Sequence, residues 1–182
     1  PFSPRADVDL PERIGAVYLV ASSLRNYAAD ISQNSSMKEA IRKFVAEGGL
    51  VLAEGSSAAY LCENFTVTDS GVFDGVGLIP AIADTREGRF TYTTFHNMED
   101  TPLGSEGLSF KGIDTQEWRV VLNPGIKNVM NAMHDGGEIV KDGISPQANV
   151  LAMFGIAHFG SNHSVAKEFV NQAVIRAASF NK

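Results

Sequence analysis

The stretch Leu50–Phe65, LVLAEGSSAAYLCENF, constrains the fold more than any other part of the chain. Leu50, Val51 and Leu52 read as a short buried strand. Ala58, Ala59, Leu61 and Cys62 read as one face of a short helix. Between them stands Glu54-Gly55-Ser56-Ser57, with Gly55 where a tight turn most needs a residue that tolerates positive φ. Strand, tight turn and helix form the unit with which α/β enzymes hold a nucleophile at the carboxyl edge of a parallel sheet.

The neighbouring segments fit that unit. Gly15–Val20 is apolar throughout, as in a strand covered on both faces, and Ala21–Asp30 is a polar, partly helical connection. Ser36-Met37-Lys38-Glu39 reads as a capping box that opens a helix running to about Glu47. Met37, Ile41, Phe44 and Val45 lie on one face of that helix, and Gly48-Gly49 stops it. The order strand, helix, strand, helix through Phe65 predicts a parallel sheet with right-handed crossovers. Beyond Phe65 the texture changes. Asp69–Pro80 reads as loop, and Arg89–Phe95, Leu108–Lys111 and Glu117–Leu122 as short strands. Asn123–Asp142 has no assignable pattern, Asn149–Phe154 is a buried strand, and Ser164–Ala178 is a helix with Val165, Phe169, Val170, Ala173 and Ala177 inward.

Composition narrows the partners. A chain of 182 residues suffices for one domain with a real core, and a net charge of −6 disfavours nucleic acid or an acidic membrane surface. The single cysteine, Cys62, leaves no internal disulfide and points to a reducing, cytoplasmic setting. No apolar run approaches the roughly 20 residues that span a bilayer, and no stretch reads as a signal peptide. The chain opens PFSP without a methionine, so a single domain over residues 1–182, truncated at its N-terminus, is expected.

Several short motifs occur in a fixed order: Phe2-Ser3-Pro4, Leu10-Pro11-Glu12, Tyr18-Leu19, Asn34 before the capped helix, and the Glu54-Gly55-Ser56-Ser57 elbow. Gly77-Leu78-Ile79-Pro80, Pro102-Leu103-Gly104, Lys111-Gly112-Ile113-Asp114-Thr115-Gln116 and Phe154-Gly155-Ile156-Ala157-His158-Phe159 follow. In this order they resemble the glutamine amidotransferase domain of the cobyrinic acid a,c-diamide synthase family over nearly the whole chain. The resemblance implies an α/β, flavodoxin-like fold of the class I glutamine amidotransferase type, with a mostly parallel sheet and helices on both faces. It also implies a mechanism. An elbow cysteine attacks the glutamine side-chain amide, a histidine of the last strand acts as base, and backbone N–H groups stabilise the oxyanion. The ammonia then serves a P-loop synthetase domain that activates a tetrapyrrole carboxylate with ATP.

At each of those positions this chain departs from the family. The cysteine position is Gly55 and the base position is Ile156. Val20-Ala21-Ser22 replaces a glycine triplet, and Ile113 and Gln116 replace both histidines of the penultimate motif. The resemblance therefore implies a degenerate domain without glutaminase activity and with no catalytic residue of the family type. The strand and helix with which the family domain opens, and the synthetase domain before them, are not in this chain, and no P-loop pattern occurs. No cofactor or metal is expected.

Other candidates read as structural. Cys62 is a buried thiol on the inward face of the helix. Ser57 loosely fits a nucleophile elbow with His158 as base, but Ser56 and Ser57 fit better as helix caps, and His158 as a hydrogen-bonded structural histidine. His96, His134 and His163 show no metal spacing and read as surface residues. Glu54 reads as a structural carboxylate bonded to backbone N–H groups. Two alternatives stay open: a non-catalytic protein-interaction module, and a serine hydrolase using Ser57.

Overall fold

A computed structural model describes residues 1–21 and 24–180. Strand β1 (Ala16–Ala21) is followed by a 3-10 turn (Leu24–Tyr27), α1 (Ala28–Gln33) and α2 (Ser35–Ala46). The elbow unit is β2 (Leu50–Gly55) and α3 (Ser56–Leu61), which runs directly into β3 (Cys62–Val67). Next come β4 (Gly71–Asp74), β5 (Ile79–Thr85), β6 (Thr91–Asn97), β7 (Ser109–Asp114) and β8 (Trp118–Leu122). The chain continues with β9 (Asn128–His134), β10 (Ile139–Ile144), β11 (Val150–Met153) and β12 (Gly155–Ala157). It ends with a 3-10 turn (Phe159–Ser161) and α4 (His163–Phe180).

Every residue of β2 is buried because the strand is central and covered on both faces. β1 and β11 flank it in parallel, and the last β1–β2 pair, Ala21 with Gly55, sets the end of β1 beside the elbow. Val17, Leu19, Val51, Ala53 and Ala152 point to one side, into a core with Met37, Ile41 and Val45 of α2 and with α3. Leu52, Leu151 and Met153 point to the other, against Val165 and Phe169 of α4. Helices thus cover both faces of the parallel part.

The rest of the eight-stranded sheet, in the order β1-β2-β11-β10-β9-β6-β7-β12, is antiparallel from β11 onward. The βαβα pattern thus accounts for the parallel pair β1–β2, which β11 joins in parallel, while the other pairings of this sheet are antiparallel. The four-residue connection from β9 to β10 is too short for a crossover, and Gly136 and Gly137 make its turn at positive φ. A second sheet, β4-β3-β5-β8, packs beside the first.

Several local expectations are corrected. Cys62 opens β3 rather than lying on a helix, because α3 lasts only six residues and Leu61 is its last. Asn34, not Ser36, caps α2: its Oδ1 accepts from Met37 N at 3.2 Å, while Glu39 pairs with Arg42 at 2.8 Å. The glycine-rich Asp69–Pro80 stretch holds β4 and the start of β5. The unassigned 123–142 stretch holds β9 and most of β10. Val170 is exposed on α4, since the helix buries only a narrow stripe through Val165.

Candidate active-site crevice

The elbow keeps its geometry. Gly55 has φ 59° and ψ −134°, a left-handed turn that lets the chain pass from β2 into α3 without a spacer. Across from it stands Ile156 of β12. A Cβ built on Gly55 would lie 3.3 Å from both Cγ1 and Cδ1 of Ile156 and 3.9 Å from the Ala21 carbonyl oxygen. The fold therefore brings together the two positions that the resemblance assigns to thiol and base. Ile113 joins them, because Tyr92, Ile113 and Ile156 are cross-strand partners and share one face of the sheet. The crevice is lined by a glycine, two isoleucines and an exposed tyrosine. Gln116 lies elsewhere, in the β7–β8 connection at φ 51°, with Nε2 donating to Thr91 Oγ1. Ser22, in the glycine-triplet position, lies outside the described residues.

Beneath the crevice, buried acids tie β12 to the elbow. Glu54 Oε1 accepts from Ala157 N at 3.0 Å, and its Oε2 accepts from the Tyr18 hydroxyl. Burial pushes the Glu54 carboxyl up to about 7 and the nearby Asp142 charge adds to this, while the bonds from Tyr18 and Ala157 pull the other way. The Tyr18 hydroxyl is raised by its own burial and by Glu54. Asp142 holds the β11–β12 corner: Oδ1 accepts from Phe154 N and Gly143 N, and Oδ2 from Gly155 N, at 2.7–2.8 Å. Burial raises it to about 6 against those three bonds. The corner needs glycine at 155, where a Cβ would come 2.2 Å from the Phe95 ring.

The other candidates are dispersed. Ser57 is buried in α3 and His158 is exposed after β12, with its N–H donating to Lys111 O; no hydrogen bond joins the two among the described residues. Neither serine caps α3, whose N-cap is Gly55 with no side-chain bond. Ser56 Oγ instead accepts from Trp118 Nε1 at 3.1 Å, linking α3 to the second sheet. Cys62 is buried, donates to the Ala58 carbonyl at 3.6 Å, and is pushed up to about 12 by burial, far from a reactive thiolate. His134 is not a surface residue: it is buried, with Nε2 2.9 Å from Asp114 Oδ2 and Nδ1 3.2 Å from Glu138 Oε2. His96 bonds Ser109 at 2.6 Å, and His163 starts α4 exposed. No cluster of three His, Cys, Asp or Glu among the described residues is arranged to hold a metal ion. Tyr18 and Asp142 were not visible as site residues in the sequence. The one trace is a buried-side aspartate, Asp142, between Lys141 and Gly143 in the Ile139–Ile144 strand.

An open α/β unit with an elbow glycine at positive φ, completed by a β12 that returns to it, is the fold of class I glutamine amidotransferases. A solved glutamine amidotransferase superposes with a TM-score of 0.61 over 88% of this chain and 79% of its own, at 15% identity. The structure of PurLQS from Thermotoga maritima gives 0.60 over 85% and 78%, also at 15% identity. The chain belongs to the CobB/CobQ-like glutamine amidotransferase domain family, which matches residues 1–163. Among curated relatives, the cobyrinate a,c-diamide synthase of Dehalococcoides mccartyi (strain 195) is 29% identical over 93% of this chain. That of Methanothermobacter thermautotrophicus is 27% identical over 95%. The chain spans 37% and 38% of those two proteins. No helix among the described residues is long and apolar enough to cross a membrane.

Proposed function

We propose that this chain is the amidotransferase-like domain of a cobyrinate a,c-diamide synthase-type protein that has kept the scaffold and given up glutamine hydrolysis. The observation that carries this reading is the contact of Gly55 with Ile156. Thioester chemistry needs a thiolate on the elbow and a base across from it. Here the first position has no side chain, and the second places a saturated side chain over it. The buried, high-pKa Cys62 is no substitute, because it opens β3 beyond the far end of α3. In this reading the domain docks on a P-loop synthetase domain of a larger protein in the cytoplasm, and the amidation of a tetrapyrrole carboxylate draws on free ammonia.

The test measures glutamate release and substrate amidation by the purified protein that carries this chain, with glutamine or with ammonium as nitrogen donor. Amidation with ammonium and none with glutamine is expected. Glutamate release at a catalytic rate would sink the reading.

A further inference from the structure

The antiparallel part of the large sheet turns one face outward, and that face is apolar where water-facing strands are ordinarily polar. Ile156 of β12 stands opposite Ile113 of β7, and Ile113 opposite Tyr92 of β6. Two residues further along β6 and on the same face, Thr94 is opposite Met133 of β9, and Met133 is opposite Ile139 of β10. Tyr92 is 74% exposed and Ile139 61%, and Met133 is exposed as well. These strands are adjacent in the order β10-β9-β6-β7-β12, so at about 4.8 Å per strand the patch runs roughly 20 Å across the sheet. Single exposed apolar residues are ordinary, but a run of them on successive strands marks an interaction surface.

The charge on this face is one-sided. It carries Lys111, opposite Thr94, and Lys141, opposite Asn131, and no outward position of the five strands holds Asp or Glu. The acids of these strands, Asp114 and Asp142, follow Ile113 and Lys141 in sequence and so point to the inner side of the sheet. Asp135 and Glu138 lie in the β9–β10 turn beyond the patch, where Glu138 faces His134. Lys141 donates to Asn131 at 2.7 Å, and the Lys111 side chain makes no hydrogen bond or ion pair among the described residues. On a chain of net charge −6, a face whose lysines stand without acids is a local reversal.

We propose that this face docks on the part of the larger protein that lies outside this chain, against a surface with an apolar centre and carboxylates opposite Lys111 and Lys141. A second copy of the chain is the poorer fit, because a symmetric contact sets the same patch against itself and brings lysine to lysine. A partner within the same protein is available by length, since the chain spans only 37% and 38% of the two curated relatives. Tyrosine and methionine are enriched at the centre of such contacts, whereas lysine belongs to the rim. Ile113 and Ile156 belong both to this face and to the crevice at Gly55, so docking here also covers the crevice. The inference rests on the reading that this chain is one domain of a cobyrinate a,c-diamide synthase-type protein, and it names the surface by which the domain docks.

Lysine acetylation of the whole purified protein that carries this chain, read by mass spectrometry of its peptides, tests the docking face. Lys43 on α2 and Lys167 on α4 are exposed and serve as references. Lys111 and Lys141 are equally exposed in this chain, so docking is expected to slow their acetylation by about tenfold or more against the references, at every protein concentration. The double variant Tyr92→Ser/Ile139→Ser removes two exposed apolar groups without touching the core and is expected to raise both rates several-fold toward the references. Wild-type rates equal to the references overturn the proposal, and that comparison needs no variant. Protection that vanishes on dilution assigns the face to a second copy and overturns it as well, as does protection unchanged in the double variant. No substrate is present, so glutamate release, which would sink the reading at Gly55, leaves this readout untouched.

Discussion

Glu54 meets two opposed demands. It is fully buried, which disfavours its charge, and it accepts two hydrogen bonds that favour it. Burial wins: its pKa in the folded chain is about 7 against an ordinary 4.5. A carboxyl raised in this way contributes stability that is whole below about pH 4.5 and is lost as pH rises through about 7, on the order of 3 kcal/mol in all. Asp142 acts in the same direction between its ordinary 3.8 and about 6. Glu54→Gln keeps an acceptor for Ala157 N and a polar partner for Tyr18 but has nothing to ionise. Thermal melts at pH 5 and pH 8 are expected to show the wild type losing clearly more stability across that interval than the variant. Equal losses would show that another group sets the pH dependence. The role of Glu54 as a structural carboxylate could be read from the sequence, since it ends a buried strand at a turn. Its partners could not, because Tyr18 lies 36 residues away and Ala157 lies 103 away.

At the scale of elements, the sequence was clearest where one local rule acts alone. The elbow, the buried faces of β2 and α2, and the long α4 follow from periodicity and a glycine. Legibility failed where two local rules competed. At the start of α2 the run Asn34-Ser35-Ser36 holds three residues of capping type, and the capping-box pattern points to Ser36. In the structure Asn34 takes the position because its amide also reaches back to the N-terminal segment. Its Nδ2 donates to the Pro4 carbonyl at 2.9 Å and the Asp7 carbonyl at 2.7 Å. A cap that also anchors a distant segment outweighs a purely local one. Asn34→Ala is therefore expected to cost about 1–2 kcal/mol in urea unfolding, while Ser36→Ala changes stability by less than about 0.5 kcal/mol. Equal effects would return the cap to Ser36. The β9–β10 hairpin was missed for a different reason. Its strands carry Asn, Lys, Asp and Gly on a partly exposed sheet, so apolar alternation is too weak to mark them.

For the molecule as a whole, the decisive feature is how the sheet closes on itself. β2 lies near one edge of the strand order and β12 at the other, yet β12 meets the elbow. Neighbour-to-neighbour pairing cannot produce that meeting; the sheet must curl, and a corner must be pinned. Asp142 is the pin, since its carboxylate accepts both the Phe154 and the Gly155 N–H groups where the chain leaves β11 for β12. This is also why the catalytic positions of the family are legible as residues while their juxtaposition is not: it depends on one aspartate in a strand that sequence left unassigned. Asp142→Ala leaves three buried N–H groups without their acceptor, a cost of at least about 2 kcal/mol. The loss should be felt first at the corner. Hydrogen exchange is expected to accelerate at Phe154–Ala157 and in the paired Gly112–Asp114 segment of β7, while β1 and β2, held by their own parallel ladder, keep their protection. Faster exchange spread evenly over the chain would mean that Asp142 supports the core in general and that the closure of the sheet does not hinge on it. Exchange confined to the corner would show that the contact between Gly55 and Ile156 is set by a latch separate from the sheet that carries them.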